Sequence, residues 1–299
     1  MNEVQSGLLL LDKPEGITSF RVLAEIKDKL RTSQVGHTGT LDRFATGLLL
    51  VLVGRLTRLA HLFSGCDKTY RATLVLGQET DTLDPEGNVV AQARLPSRGE
   101  LLQATQSLCG DIEQVPPRYS AVHIAGERAY QLARSGRQPA LKPRRVTIYK
   151  AQLLDCRDEE AEVLIRCSTG AYVRAWARDL GRRAGSCAYV KKLRRTAIGD
   201  FGVEEAVRPE EFDPARDILS ARTFIPRLRH VKAGVLSDTA SRRVLEGRPL
   251  RDGDLLEPPG KDGLYALFDP AGTLLATAER VSGSYTYKAV LARRDACRS

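Results

Sequence analysis

No apolar run in this chain approaches the roughly 18 residues that a membrane-crossing helix needs. The longest, Leu48 to Val53, has the length of a strand. The opening residues, Met-Asn-Glu-Val-Gln-Ser, also lack the basic start of a secretory signal, so a soluble protein is expected, in the cytoplasm and with no membrane partner. There are six cysteines but no C-x-x-C, and no histidine stands at ligand spacing from them. That pattern argues against a zinc site and against a disulfide framework, and the thiols are expected to be reduced and mostly buried. Neither a G-x-G-x-x-G nor the Gly-Lys-Ser/Thr ending of a P-loop occurs, so a nucleotide cradle is not expected. Internal repeats and low-complexity tracts are missing too.

What is present is enough to bury a sizeable core: 299 residues, 42% hydrophobic and 28% charged, which suits one large domain and a small one. The formal charge of +9 is unevenly placed. Residues 118–150 carry eight Lys/Arg against Glu127 alone, and residues 166–195 carry nine against Asp179 alone, leaving the rest of the chain mildly acidic. Two basic segments in an otherwise acidic chain suggest a polyanion footprint, with RNA or DNA as first candidates. The plainer alternative is a solvated charged face.

Between two apolar segments lies Gly36-His37-Thr38-Gly39-Thr40-Leu41-Asp42, continuing through Ala45-Thr46-Gly47. Its glycines allow close approach of a ligand, and His37, Asp42 and Arg43 are its only chargeable side chains. Taken alone it also fits a capped turn. Before it, Gly7 to Leu11 reads as a strand and Val22, Leu23, Ile26 and Leu30 as one face of a helix capped by Thr18 or Ser19. After it come a strand, Leu48 to Val53, and a helix bearing Leu56, Leu59, Ala60 and Phe63. Lys68 to Gly77 alternates, with Tyr70, Ala72, Leu74 and Leu76 on one face, and Asp84 to Asn88 is a turn. A short helix is expected at Leu101 to Leu108, a basic helical piece at Glu127 to Arg134, and an antiparallel pair at Val146 to Leu154 and Glu162 to Cys167. Val173, Trp176, Ala177 and Leu180 mark a helix in which Arg174, Arg178 and Arg182 form a basic stripe. From about residue 227 short strands and Gly/Asp/Pro turns indicate a small β-rich domain.

Several of these motifs, in this order, resemble the TruB family of tRNA pseudouridine synthases. They are Leu10-Leu11-Asp12-Lys13-Pro14 with Gly16 and Thr18-Ser19; the His37 to Asp42 loop; Lys68 to Ala72; Gly77 to Asp81; and Pro116-Pro117 with Ser120-Ala121. The match continues through Gly126 with Tyr130, Cys167 to Arg174 with Asp179-Leu180-Gly181, and Leu193-Arg194-Arg195 with Gly199 and Phe201. The resemblance covers about residues 7–203. It implies an α/β (α+β) catalytic domain on a mixed, largely antiparallel sheet, residues 1–226, with an RNA-binding insertion near 118–145, and a PUA-like domain at 227–299. It further implies isomerisation of uridine 55 in the T loop of tRNA, without metal or organic cofactor, by a monomer needing no protein partner.

Carried over by motif, Asp42 resembles the catalytic carboxylate, Tyr70 the aromatic that stacks on the target base, and Arg174 the partner of Asp42. Tyr172, Leu193, His37 and Lys13 resemble substrate contacts, with His37 helping to hold the flipped-out nucleotide. Arg43, Lys142, Arg144 and Arg145 are expected on RNA phosphates. Where the family has proline directly after the catalytic aspartate, this chain has Arg43. The chemistry asks for such a set: the detached uracil must be kept from water, a carboxylate can add to sugar or base or remove a sugar proton, and an adjacent arginine offsets the cost of burying its charge. A non-catalytic RNA-binding or RNA-folding protein is the alternative. A metal-dependent nuclease needs clustered carboxylates, and Asp42 has none within its loop.

Overall fold

The computed structural model describes residues 6–119, 123–124, 127–128, 141–257 and 260–291. The chain enters through β1 (Gly7–Lys13), turns into α1 (Ser19–Leu30), and returns through β2 (Val35–His37) and β3 (Thr46–Val53). Thr18 caps α1 by accepting from Arg21 N, and α1 buries the expected Val22, Leu23 and Ile26 against Leu9, Leu11, Leu49 and Val51. The opposite sides of β1 and β3, Leu8, Leu10, Leu48, Leu50 and Leu52, face a second core. Burial on both faces explains why these strands are continuous apolar runs rather than alternating ones.

Gly54–Phe63 is a ten-residue 3-10 helix where the apolar spacing suggests an α-helix. Leu56, Leu59, Leu62 and Phe63 are still buried, because the i, i+3 part of their spacing serves either geometry. Then follow β4 (Lys68–Leu76), the hairpin β5 (Gln78–Thr80) and β6 (Val89–Gln92), α2 (Arg98–Ser107) and β7 (Gly110–Gln114). Ser97 and Glu100 close a capping box at the start of α2. Of the basic helix expected at Glu127 to Arg134, the two described residues belong to a short strand: β8 (His123–Ile124) pairs with β9 (Glu127–Arg128). The remainder of that segment lies outside the described residues. The long hairpin β10 (Arg144–Arg157) and β11 (Glu160–Cys167) leads into α3 (Val173–Arg183) and β12 (Ala188–Ile198), with β13 (Phe201–Gly202) and β14 (Ile218–Leu219) closing the first part.

These strands form one sheet in the order β14-β1-β3-β12-β4-β11-β10-β7, with β2 on β3 and β13 on β12. Only the β12–β3 contact is parallel, through Arg194↔Thr46 and Arg195↔Gly47. The architecture is thus mixed α/β on a largely antiparallel sheet. Helices α2 and α3 cover its β4–β11–β10 half, where Trp176, Leu180 and Leu101 meet Ala72, Leu74, Val163 and Ile165.

The C-terminal part is a four-stranded sheet, β15 (Val231–Val235), β16 (Gly263–Phe268), β17 (Leu274–Val281) and β18 (Ser284–Val290), with α4 (Asp238–Leu245) on one face. Its other face contributes Val231, Ala266, Phe268, Leu274 and Ala289 to the same core as Leu8, Leu50 and Phe63. Polar ties reinforce this seam: His230 Nε2 lies 2.7 Å from Leu62 O, Arg229 Nε 2.7 Å from Asp200 Oδ2, and Arg58 Nη1 donates to Val290 O. Among the described residues no helix is long and apolar enough to cross a membrane. The cysteines are less buried than expected: Cys66 and Cys167 are buried, Cys156 and Cys187 half-buried, and Cys109 exposed.

Candidate active site

Asp42 sits in the loop between β2 and β3, and four anchors fix that loop. Ser19 Oγ at the start of α1 accepts from Leu41 N at 3.0 Å and donates to Leu41 O at 3.2 Å. Arg195 on β12, only 2% exposed, donates to Gly39 O at 3.1 Å, Thr40 O at 3.4 Å and Leu48 O at 2.7 Å. Gly47 permits this approach: with φ +102° and the Arg195 carbonyl 2.3 Å from where a Cβ would stand, no other residue fits.

Lys13 is the third anchor, and here the expected substrate contact gives way to a different role. Its side chain is fully buried and donates to Pro14 O and Ile17 O at 2.8 Å and to Arg43 O at 3.3 Å. It therefore ties the β1–α1 turn to the loop and does not line the cleft; burial lowers its pKa to about 8. The fourth anchor is a reciprocal pair, Gly16 N to Arg43 O at 3.0 Å and Arg43 Nε to Gly16 O at 2.9 Å. Arg43 thus binds its own chain, with Glu86 Oε1 a further 3.8 Å from its Nε, although its side chain stays 63% exposed at the cleft edge.

The cleft has a volume of about 590 Å³. Asp42, Tyr70, Tyr172, Arg174 and Leu193, five residues spread over some 150 positions of sequence, all line it. Tyr70 comes from β4 and Leu193 from β12, neighbours in register with Ala72↔Leu193 and Tyr70↔Arg195. Both are nearly enclosed, and burial raises the pKa of the Tyr70 hydroxyl, so Tyr70 is a neutral aromatic surface at neutral pH. Tyr172 precedes α3, and its backbone is clamped by buried Gln114, whose Oε1 accepts from Tyr172 N at 2.8 Å and whose Nε2 donates to Tyr172 O at 3.1 Å.

Arg174, in the first turn of α3, is 4% exposed and faces Asp42 with two nitrogens. Nη2 donates to Oδ1 at 3.1 Å; Nε lies 2.9 Å from Oδ2 but out of line for a hydrogen bond, so that contact is mainly Coulombic. The same guanidinium donates through Nη1 to Asp84 Oδ2 and Thr82 O, and through Nη2 to Tyr119 O, each at 2.9 Å. Sequence alone does not single out Asp84, because its turn Asp84-Pro85-Glu86-Gly87 is sufficient reason for an aspartate. With a guanidinium wedged between them, the two carboxylates do not face a shared cation position, and among the described residues no group of three or more His, Cys, Asp or Glu is placed to hold a metal.

His37 ends β2 beside the cleft rather than in its lining. Burial, with the nearby Arg195 charge, lowers its pKa, and its Nδ1 is buried without a hydrogen-bond partner. Phe20, on the first turn of α1, meets its ring edge-on, with centroids 6.3 Å apart. Lys68 and Thr169 join at 3.0 Å on another side of the cleft. Of the residues expected on phosphates, Lys142 and Arg144 are exposed, and Arg145 is paired with Asp111 at 2.8 Å.

The basic stripe on α3 is also changed by the fold. Arg174 is buried, Arg178 pairs with Asp179 at 2.8 Å, and Arg182 pairs with Glu79 at 2.8 Å. Arg166, Lys191 and Arg194 likewise find Asp67, Glu160 and Asp12. Much of the positive charge of residues 166–195 is therefore met by ion pairs within the chain, although Arg166, Arg182, Lys191 and Arg194 remain partly exposed.

Known proteins resemble this chain in sequence and in fold. Residues 27–173 match the TruB family pseudouridylate synthase (N terminal domain). The tRNA pseudouridine synthase B of Aquifex aeolicus (strain VF5) is 40% identical over 271 residues, covering 88% of this chain and 92% of that one. The same-named protein of Mycobacterium sp. (strain KMS) is 38% identical over 98% of both chains. Among solved structures, a chain of a Cbf5-Nop10-Gar1 complex superposes with a TM-score of 0.75 at 22% identity, covering 98% of this chain and 87% of that one, a likeness of fold.

Proposed function

The chain belongs to the TruB family of pseudouridylate synthases, and on that premise we propose that it isomerises uridine 55 in the T loop of tRNA with Asp42 as the catalytic carboxylate. The observation that carries the assignment is the two-point hold of buried Arg174 on Asp42, at the edge of a cleft bounded by Tyr70 and Leu193. Relatives named tRNA pseudouridine synthase B, at about 40% identity over most of both chains, make the enzyme the favoured reading over a non-catalytic RNA-binding protein.

The reaction breaks the bond from ribose C1′ to N1 and makes one from C1′ to C5. The proton lost at C5 is balanced by one gained at N1. No electrons or atoms are exchanged with another molecule, so no cofactor is called for. Catalysis then reduces to three tasks. Asp42 supplies an oxygen to sugar or base, or takes a sugar proton, and Arg174 fixes the direction of that oxygen. Tyr70 stacks on the uracil ring, and Leu193 closes the wall, so the detached base stays out of water and can turn without leaving. The target uridine must first leave its stack, at a cost of a few kcal/mol that stacking on Tyr70 and contacts to the RNA backbone offset. His37, beside the cleft, contacts the extruded nucleotide, and Tyr172 contacts its other edge. Lys142 and Arg144 contact phosphates; Arg43, tethered to Gly16, does so through its exposed end.

In the same reading residues 1–226 are the catalytic domain, with an RNA-binding insertion at about 118–145, and residues 227–299 a PUA-like RNA-binding domain. The enzyme works as a cytoplasmic monomer on the T arm. Replacing Asp42 by asparagine keeps shape and most hydrogen bonding. It should lower single-turnover isomerisation by at least about a thousandfold while tRNA affinity changes little. A rate within tenfold of wild type would remove Asp42 from the chemistry.

A further inference from the structure

Phe20 is the most exposed large apolar side chain among the described residues, at 69%, and it lines the active-site cleft. A phenylalanine left in water forfeits the hydrophobic stabilisation that burial would return. Nothing in the fold of α1 requires it there: Val22, Leu23 and Ile26 already supply the helix's apolar face, and Phe20 points away from them to solvent. Its position is nonetheless tightly fixed. The neighbouring Ser19 is locked by two hydrogen bonds to Leu41, the residue before Asp42, and the Phe20 ring stands edge-on to His37 at an interplanar angle of 90°. The two rings are perpendicular, so Phe20 is held on one side by His37 while most of its surface remains open at the cleft mouth.

We propose that Phe20 is a stacking shelf for a nucleobase flanking the target uridine, outside the pocket that takes the target itself. This rests on the reading of the cleft as a uridine site. When the target leaves the stack, each neighbour loses one stacking partner. An aromatic plane fixed at the rim replaces that partner and holds the RNA in the opened form. Tyr70 then receives the target base and Phe20 its neighbour. Base–aromatic stacking needs no particular base, so the shelf stabilises the opened strand without reading its sequence.

The test uses the full chain and three synthetic T-arm stem-loops: one intact, one with an abasic nucleotide 5′ of the target, and one with it 3′. Phe20→Ala should raise KM on the intact stem-loop by about tenfold, more than it changes kcat, and Phe20→Trp should restore it. On the stem-loop lacking the base that stacks, wild type and Phe20→Ala should have the same KM. A loss equal on all three substrates, or one that Trp does not rescue, would make Phe20 a structural support for His37 and overturn the proposal. Should wild type form no pseudouridine, the failure lies with the uridine reading. Binding of the three stem-loops, followed with 2-aminopurine in place of the flanking base, still decides the shelf: unquenched fluorescence in the wild-type complex contradicts it.

Discussion

At the scale of single residues, Asp42, Tyr70, Tyr172, Arg174 and Leu193 were named from sequence by motif, and the fold gathers all five at one cleft. Periodicity could not have done so, because on a strand Tyr70 and Leu193 look like ordinary core residues. The motif around Lys13 implies a substrate contact, whereas its buried ammonium serves three backbone carbonyls. Tyr70 can be dissected by two substitutions. Phe at position 70 keeps the stacking plane and loses only the hydroxyl, while Ala should cost about 1–3 kcal/mol more in substrate binding and chemistry. Equal losses for the two would make Tyr70 a packing residue. His37 gives a pH prediction. Its folded pKa lies below 6.5, so in that interval the unfolded chain binds the extra proton, and the associated stability is present above 6.5 and lost as pH falls through the folded value. The fall in Tm from about pH 7 to about pH 5 should therefore be smaller in His37→Gln than in wild type. An identical fall in both would show that His37 is not held neutral.

At the scale of elements, most strands and helices were legible because their burial follows their period: α1 and α3 show helical spacing, β4 alternates, and β1 and β3 are continuous runs. The 3-10 helix at Gly54–Phe63 was not distinguishable from α, since i, i+3 contacts serve both. The turn after β5 hid the most consequential partner. There Leu83, a non-glycine residue at φ 62° and 5% exposed, holds a strained backbone, and Asp84 Oδ1 accepts from Thr82 Oγ1 at 2.6 Å and Glu86 N at 3.1 Å. Asp84 thus organises the turn with one oxygen and grips Arg174 with the other, linking hairpin, α3 and catalytic loop. Removing one partner of a buried ion pair costs about 3–5 kcal/mol, less whatever Asp42 still satisfies. Asp84→Ala should lower stability by about 3 kcal/mol and slow single-turnover chemistry more than it weakens RNA binding. Asp84→Asn, which retains the turn's acceptor, should recover most of the stability and only part of the rate. Denaturant midpoints and single-turnover rates together check this; a wild-type rate in Asp84→Ala would sever the turn from the site.

At the scale of the whole molecule, the net charge of +9 promised a polyanion partner, but its distribution along the chain was a poor map of the surface. Residues 166–195 look basic in one dimension because the acids that neutralise them, Asp12, Asp67, Glu79 and Glu160, come from elsewhere in the chain. Only folding brings those partners together. The β-rich character of the C-terminal part was readable from its turns. Its apolar seam with Leu8, Leu50 and Phe63 was not, because a strand residue buried between two sheets has the same sequence signature as one buried within a single domain. That shared core holds the C-terminal sheet firmly against the sheet that carries Asp42. The most direct test of the account is to incubate the purified protein with an unmodified tRNA transcript and map pseudouridine at nucleotide resolution, with EDTA present and Asp42→Asn in parallel. The account predicts conversion of the T-loop uridine 55 by wild type and none by the variant. Conversion elsewhere, conversion by Asp42→Asn, or no conversion even of a prefolded T-arm stem-loop would contradict it.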